Sequence, residues 1–131
     1  MMILSGKRKT AIAKASIKDG TGIVTINRKA IGAFPMLQQL ELKEPLIIAE
    51  QILGKLNFDI SVNVASGGTA SRIEASRLAI ARAIVEFTKN DKIRAGFVAY
   101  DRNMLVADIR RKEAYKPGDS KARAKRQTSY R

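Results

Sequence analysis

From Lys9 to Ile17 the chain alternates imperfectly, with Ala11, Ala13, Ala15 and Ile17 on one side. Period two is the pattern of a strand with one buried face. Asp19-Gly20-Thr21-Gly22 is a strong turn signal, and the β-branched run Ile23-Val24-Thr25-Ile26 follows at once. The two runs and the turn predict a β-hairpin. Asn27-Arg28-Lys29 reads as a second turn, and Ala30 to Phe34 as an edge strand or an irregular link ending at Pro35. Glu44-Pro45 suits the opening of a helix, because Pro fits the first turn and Glu complements the positive helix end. Leu46, Ile47, Ala49, Ile52, Leu53 and Leu56 then form a helical stripe, with Gly54 weakening its end.

Phe58, Ile60, Val62 and Val64 alternate with Asp59, Ser61 and Asn63, a second half-buried strand that runs into Ser66-Gly67-Gly68-Thr69. The longest predicted helix is Ala70 to about Thr88. Ile73, Ile80, Ile84 and Phe87 make its apolar stripe, and Ala75, Ala79 and Ala83 make a row of small residues beside it. That row permits close approach of a sheet or another helix. A further helix is predicted over Asp91 to Tyr100, and Leu105 to Ile109 as a short, extended apolar anchor. The order β-β-(β)-α-β-α-α-tail defines an α+β fold of two layers, sheet against helices. Residues 1–109 are expected to be a globular unit and 110–131 a tail.

Composition changes this picture in one respect. The chain has 131 residues, enough for one domain with a real core, and an ordinary 45% apolar content. Its formal charge of +13 is not ordinary and implies an anionic partner, nucleic acid before a membrane face. Residues 1–14 hold four bases (Lys7, Arg8, Lys9, Lys14) and no acid; residues 15–109 hold twelve bases and ten acids; residues 110–131 hold nine bases and two acids. The body is nearly neutral and the two ends carry the field. No apolar run reaches the length of a membrane span, so a soluble intracellular protein is expected.

Catalytic chemistry finds little support. With no Cys and no His, thiol nucleophiles, imidazole acid–base groups and Cys/His metal sites are excluded. The carboxylates are mostly scattered singly, and Glu41 and Glu44 flank Lys43 in a polar stretch. No metal and no cofactor is expected. Ser66-Gly67-Gly68-Thr69 lacks the Gly-Lys-Ser/Thr ending of a P-loop. It reads either as a turn whose helix end meets an RNA phosphate through Gly67 and Gly68, or as a plain turn capped by Thr69 or Ser71. Arg72, Arg77 and Arg82 are spaced five apart, so they spiral around their helix and serve different neighbours.

The last twelve residues, SKARAKRQTSYR, contain no Leu, Ile, Val, Phe or Met. Such a segment has nothing to bury and is expected to be disordered alone. Its bases Lys121, Arg123, Lys125 and Arg126 are mostly not consecutive, with small or polar neutral residues between them, which suits an extended strand threading between phosphates. Arg grips phosphate bidentately, and Tyr130 offers a ring to stack on a base. A nuclear-import-like or heparin-like basic run and a merely disordered end are the competing readings.

Four blocks in order carry a family resemblance that covers nearly the whole chain. They are Gly6-Lys7-Arg8-Lys9-Thr10-Ala11; Ser66-Gly67-Gly68-Thr69-Ala70-Ser71-Arg72-Ile73-Glu74-Ala75, continuing through Ala79 to Ile84; Tyr100-Asp101-Arg102 with Met104 to Arg110; and Lys121 to Arg126 with Ser129-Tyr130-Arg131. The chain resembles the universal small-subunit ribosomal protein family conventionally numbered nine, in its archaeal and eukaryotic form. Two positions depart from the family signature: Ser66 stands for its first Gly and Arg72 for its usual Gln. The resemblance implies a two-layer α/β sandwich with a left-handed β-α-β crossover, shared with one domain of elongation factor G, and an extended basic C-terminal tail. It also implies a structural role in the head of the small subunit, in the cytoplasmic ribosome, beside neighbouring head proteins. The implied contacts with small-subunit rRNA come from Lys7, Arg8, Lys9, Gly67, Gly68, Arg72, Arg77, Arg82, Arg102, Arg110, Arg111, Lys112 and Lys116, and from Lys121, Arg123, Lys125 and Arg126. Tyr130 and Arg131 are expected to approach the anticodon stem-loop of the peptidyl-site tRNA; many bacterial members have Lys where this chain has Tyr130. The other reading of the same charge pattern is a free-standing basic RNA-binding or RNA-chaperone module.

Overall fold

The computed structural model describes residues 1–115 and Ala122. Five strands form one sheet: β1 (Met2–Arg8), β2 (Ala11–Asp19), β3 (Val24–Ile26), β4 (Lys29–Ala30) and β5 (Phe58–Ala65), in the order β1-β2-β5-β3-β4. Three helices accompany it: α1 (Met36–Leu53), α2 (Thr69–Thr88) and α3 (Asp91–Tyr100). β1 and β5 both pair antiparallel with β2, while β3 runs parallel to β5. The connection between β3 and β5 passes through α1, so the parallel pair encloses a β-α-β crossover.

Alternation places Ala11, Ala13, Ala15 and Ile17 of β2 and Phe58, Ile60, Val62 and Val64 of β5 on the same buried face. α2 lies against that face. Its Ala75, Ala79 and Ala83 are fully buried, and the row does what small residues permit. A Cβ at Gly6 in β1 would stand 2.2 Å from the Ala75 carbonyl oxygen and 2.7 Å from the Ala79 nitrogen. Backbone therefore meets backbone where β1 crosses α2. At the far end Phe58 and Phe87 meet edge to face, with ring centroids 5.9 Å apart.

Several expectations are corrected. The runs 9–17 and 23–26 do not form a hairpin, because β5 lies between β2 and β3. The loop after Asp19 instead wraps the end of β5, where the Asp59 carboxylate accepts from the backbone N–H groups of Thr21, Gly22 and Ile23. The hairpin partner of β2 is β1, joined by the two-residue turn Lys9-Thr10 with Lys9 at φ 51°. The strand thus begins at Ala11 and not at Lys9. α1 begins at Met36 after Pro35, nine residues before Pro45, which is buried inside the helix. An internal Pro removes one helical hydrogen bond, and burial of Leu42 and Ala49 on either side of Pro45 offsets that loss. The segment 30–34 combines both alternatives offered for it: Ala30 closes the two-residue edge strand β4, and a 3₁₀ turn, Ile31–Ala33, follows. α2 is capped by neither Thr69 nor Ser71: Gly68 is its N-cap, without a side-chain hydrogen bond. The apolar anchor is also displaced. Met104, in a 3₁₀ turn, is fully buried and Leu105 partly so, whereas Ile109 is exposed.

Other expectations hold. Asn27 and Arg28 make a tight turn between β3 and β4, both at positive φ, a conformation Asn tolerates. Gly54 ends α1 at φ 77°, and α3 spans Asp91–Tyr100 with Asn90 as its N-cap.

Candidate nucleic-acid interface

Residues from the two ends of the described chain converge. Lys7, Arg8, Lys9, Thr10 and Ile12 from the β1–β2 hairpin face Arg110, Arg111 and Lys112 across an open groove of about 780 Å³. No acid lines it. The arrangement follows from the fold: the hairpin turn projects Lys9 past the sheet, and the segment after Met104 returns along β1.

Asp108 ties the two walls together. Its carboxylate takes the Arg110 guanidinium at 2.6 Å and lies 3.6 Å from the Arg8 guanidinium. It also accepts from the backbone N–H of Arg110. The Arg110 side chain first, then that N–H, then Arg8 hold the Asp108 carboxyl far below the ordinary carboxylate range. The same pairing raises the Arg110 pKa. Arg8 additionally donates to Glu74 of α2, so it acts as a strut. Lys7, Lys9 and Arg111 have no ion-pair partner among the described residues and supply free positive charge. Lys112 sits 4.7 Å from the centre of the Tyr115 ring.

The glycine turn adjoins this groove. Ser66 and Gly67 both adopt positive φ, 64° and 75°. A Cβ on Gly67 would lie 2.7 Å from that of Ala11, so the turn presses on the first residue of β2, beside Lys9-Thr10. The N-terminus of α2 opens there with no acid in its first turn and no side-chain cap. Free N–H groups and the helix dipole make that end attractive to an anion.

The arginines of α2 do serve different neighbours, and those neighbours belong to the protein. Arg72 donates to the Ser66 carbonyl and pins the glycine turn. Arg77 is held by Glu44 at 2.6 Å and Asp101 at 3.2 Å. Arg82 donates to the carbonyls of Ser5 and Leu105, fastening β1 to the segment that leads to the groove. Arg102 is exposed in its 3₁₀ turn and does not line the groove. Lys116, Lys121, Arg123, Lys125, Arg126, Tyr130 and Arg131 lie outside the described residues. Sequence reasoning missed Asp108 and Glu74 as organisers of the site. An acid two residues before Arg110 was a signal for the first; nothing local pointed to the second.

Two cationic segments line one open groove, an arrangement whose charge suits a polyanion. The family described as ribosomal protein S9/S16 matches residues 6–131. Relatives named small ribosomal subunit protein uS9 from Methanococcus vannielii and Methanococcus maripaludis are 44% identical, covering 96% of this chain and 95% of theirs. The chain belongs to the ribosomal protein S9/S16 family. Its role is that of a structural constituent of the small ribosomal subunit, not of an enzyme.

Proposed function

We propose that the groove of Lys7, Lys9, Arg110, Arg111 and Lys112, with the α2 N-terminus at Gly67 and Gly68, seats the protein on small-subunit rRNA. The observation that carries this is the convergence of both basic ends on a groove without acids. Contacts of this kind grip phosphates and fix position without reading sequence. Arg8, Arg72 and Arg82 act one step back, holding the hairpin, the glycine turn and the segment to Arg110 in place. Residues 110–131 continue as a basic extension through the rRNA. Lys116, Lys121, Arg123, Lys125 and Arg126 neutralise phosphates along it, while Tyr130 and Arg131 approach the anticodon stem-loop of the peptidyl-site tRNA. The extension gives electrostatic support to tRNA position.

Removal of residues 120–131 tests this reading. The truncated chain should fold, enter small subunits and leave peptidyl-site tRNA binding several-fold weaker in a filter assay. A truncated chain that unfolds, or full tRNA affinity in subunits carrying it, overturns the assignment of the tail.

A further inference from the structure

α1 is unlike the rest of the molecule. In a chain of charge +13 it holds three acids, Glu41, Glu44 and Glu50, against the single base Lys43. It also exposes large apolar side chains: Met36 and Leu37 are each 76% exposed, Leu40 51% and Ile47 47%. Residues four and seven apart share a helix face, so Met36, Leu40 and Ile47 form one row and Leu37, Glu41 and Glu44 the next. The second row runs into a cavity of about 360 Å³ walled by Glu41, Glu44, Glu74, Asp101 and Asp108 together with Lys7, Arg8, Arg77 and Arg110, so its far side borders the basic groove. Glu44 and Asp101 are engaged by Arg77, and Glu74 and Asp108 by Arg8. Glu41 alone among these acids has no cation among the described residues.

We propose that this face of α1 is a docking surface for a basic, apolar-bearing segment of a neighbouring protein of the small subunit. Apolar partner side chains cover Met36, Leu37, Leu40 and Ile47, and a Lys or Arg of the partner reaches Glu41 at the cavity mouth. The exposed apolar row argues against RNA on this face, since a phosphate backbone buries no apolar surface there and meets the unpaired Glu41 carboxylate at its edge. Residues 116–131 of the chain itself contain no Leu, Ile, Val, Phe or Met with which to cover the face. Two copies of α1 set face to face oppose like charges. What remains is a partner with apolar and basic side chains, the composition of a protein interface and not of a phosphate contact.

The inference rests on the chain's place in the small subunit, and photo-crosslinking within assembled subunits separates the two readings. A benzoylphenylalanine at Leu40, or at the more exposed Leu37, is compared with one at Arg111. The Arg111 probe should label rRNA; if it does not, the groove assignment fails whatever α1 does. The Leu40 and Leu37 probes should label one peptide of another subunit protein that carries Lys or Arg. Glu41→Lys should cut that yield about three- to fivefold, as expected for loss and reversal of one exposed ion pair. Labelling of rRNA, of a second copy or of the chain's own tail by the α1 probes overturns the proposal. So does the absence of any product, or a yield indifferent to Glu41→Lys.

Discussion

One close approach of backbone to backbone is made by a residue with no side chain. Gly6 sits where β1 crosses α2, and the nearest atoms to an added Cβ are backbone, which cannot turn aside. Gly6→Ala should therefore destabilise the fold by about 1–3 kcal/mol, the range for overpacking a close contact. Gly32→Ala is the matched control: nothing lies within 4 Å of a Cβ there, and its effect should stay within about 0.5 kcal/mol. Chemical denaturation of both variants checks the pair, and equal midpoints would mean that β1 and α2 are not in backbone contact. The same contact explains why β1 escaped the reading of the sequence. Its buried position is filled by Gly6, which gives no apolar signal. A strand whose inward residues run Met2, Leu4, Gly6, Arg8 does not show a clean period of two.

At the level of elements, the misread hairpin has a physical cause in Asp59. Adjacent strands joined by a turn signal usually pair, and here they do not, because three backbone N–H groups of the loop are collected by one carboxylate on the intervening strand. Those bonds, Ile23 first and then Thr21, lower the Asp59 pKa below its ordinary 3.8. A depressed carboxylate contributes stability that is fully present above the unfolded value and is lost as pH falls through the folded one. Asp59→Ala should accordingly lower the urea midpoint at pH 7. Its deficit relative to the parent should shrink as the buffer is taken below 3.8. A deficit that stays constant with pH would assign the loss to the turn's shape and not to the charge. The elements that were legible, β2, β5, α2 and α3, are those whose burial repeats along the chain. Strand order, the β1 pairing and the start of α1 depend on contacts distant in sequence, and no local period encodes them.

For the whole molecule, the legible part of the site was its charge and the illegible part was its division of labour. The free bases of the groove are conspicuous by composition alone. That Arg8, Arg77 and Arg82 are spent inside the protein is not, since their partners lie 66, 24 and 77 residues away. The distinction has a measurable consequence. A base that meets phosphate releases counterion, and each such contact contributes roughly 0.7–0.9 to the slope of log K against log salt. Lys9→Gln with Arg111→Gln should therefore weaken binding of the full chain to purified small-subunit rRNA and flatten the slope by roughly 1.4–1.8. Lys43→Gln, on the acidic helix, should leave the slope unchanged although it removes the same kind of charge. Arg82→Gln should act differently again. It loosens β1 from the segment leading to Arg110, so it should lower stability in denaturant and weaken rRNA binding without the slope change of a lost phosphate contact. Equal slope changes for all these substitutions would mean that RNA responds to net charge alone and that the fold does not partition its surface. Separate behaviour would locate the RNA-facing field at the groove.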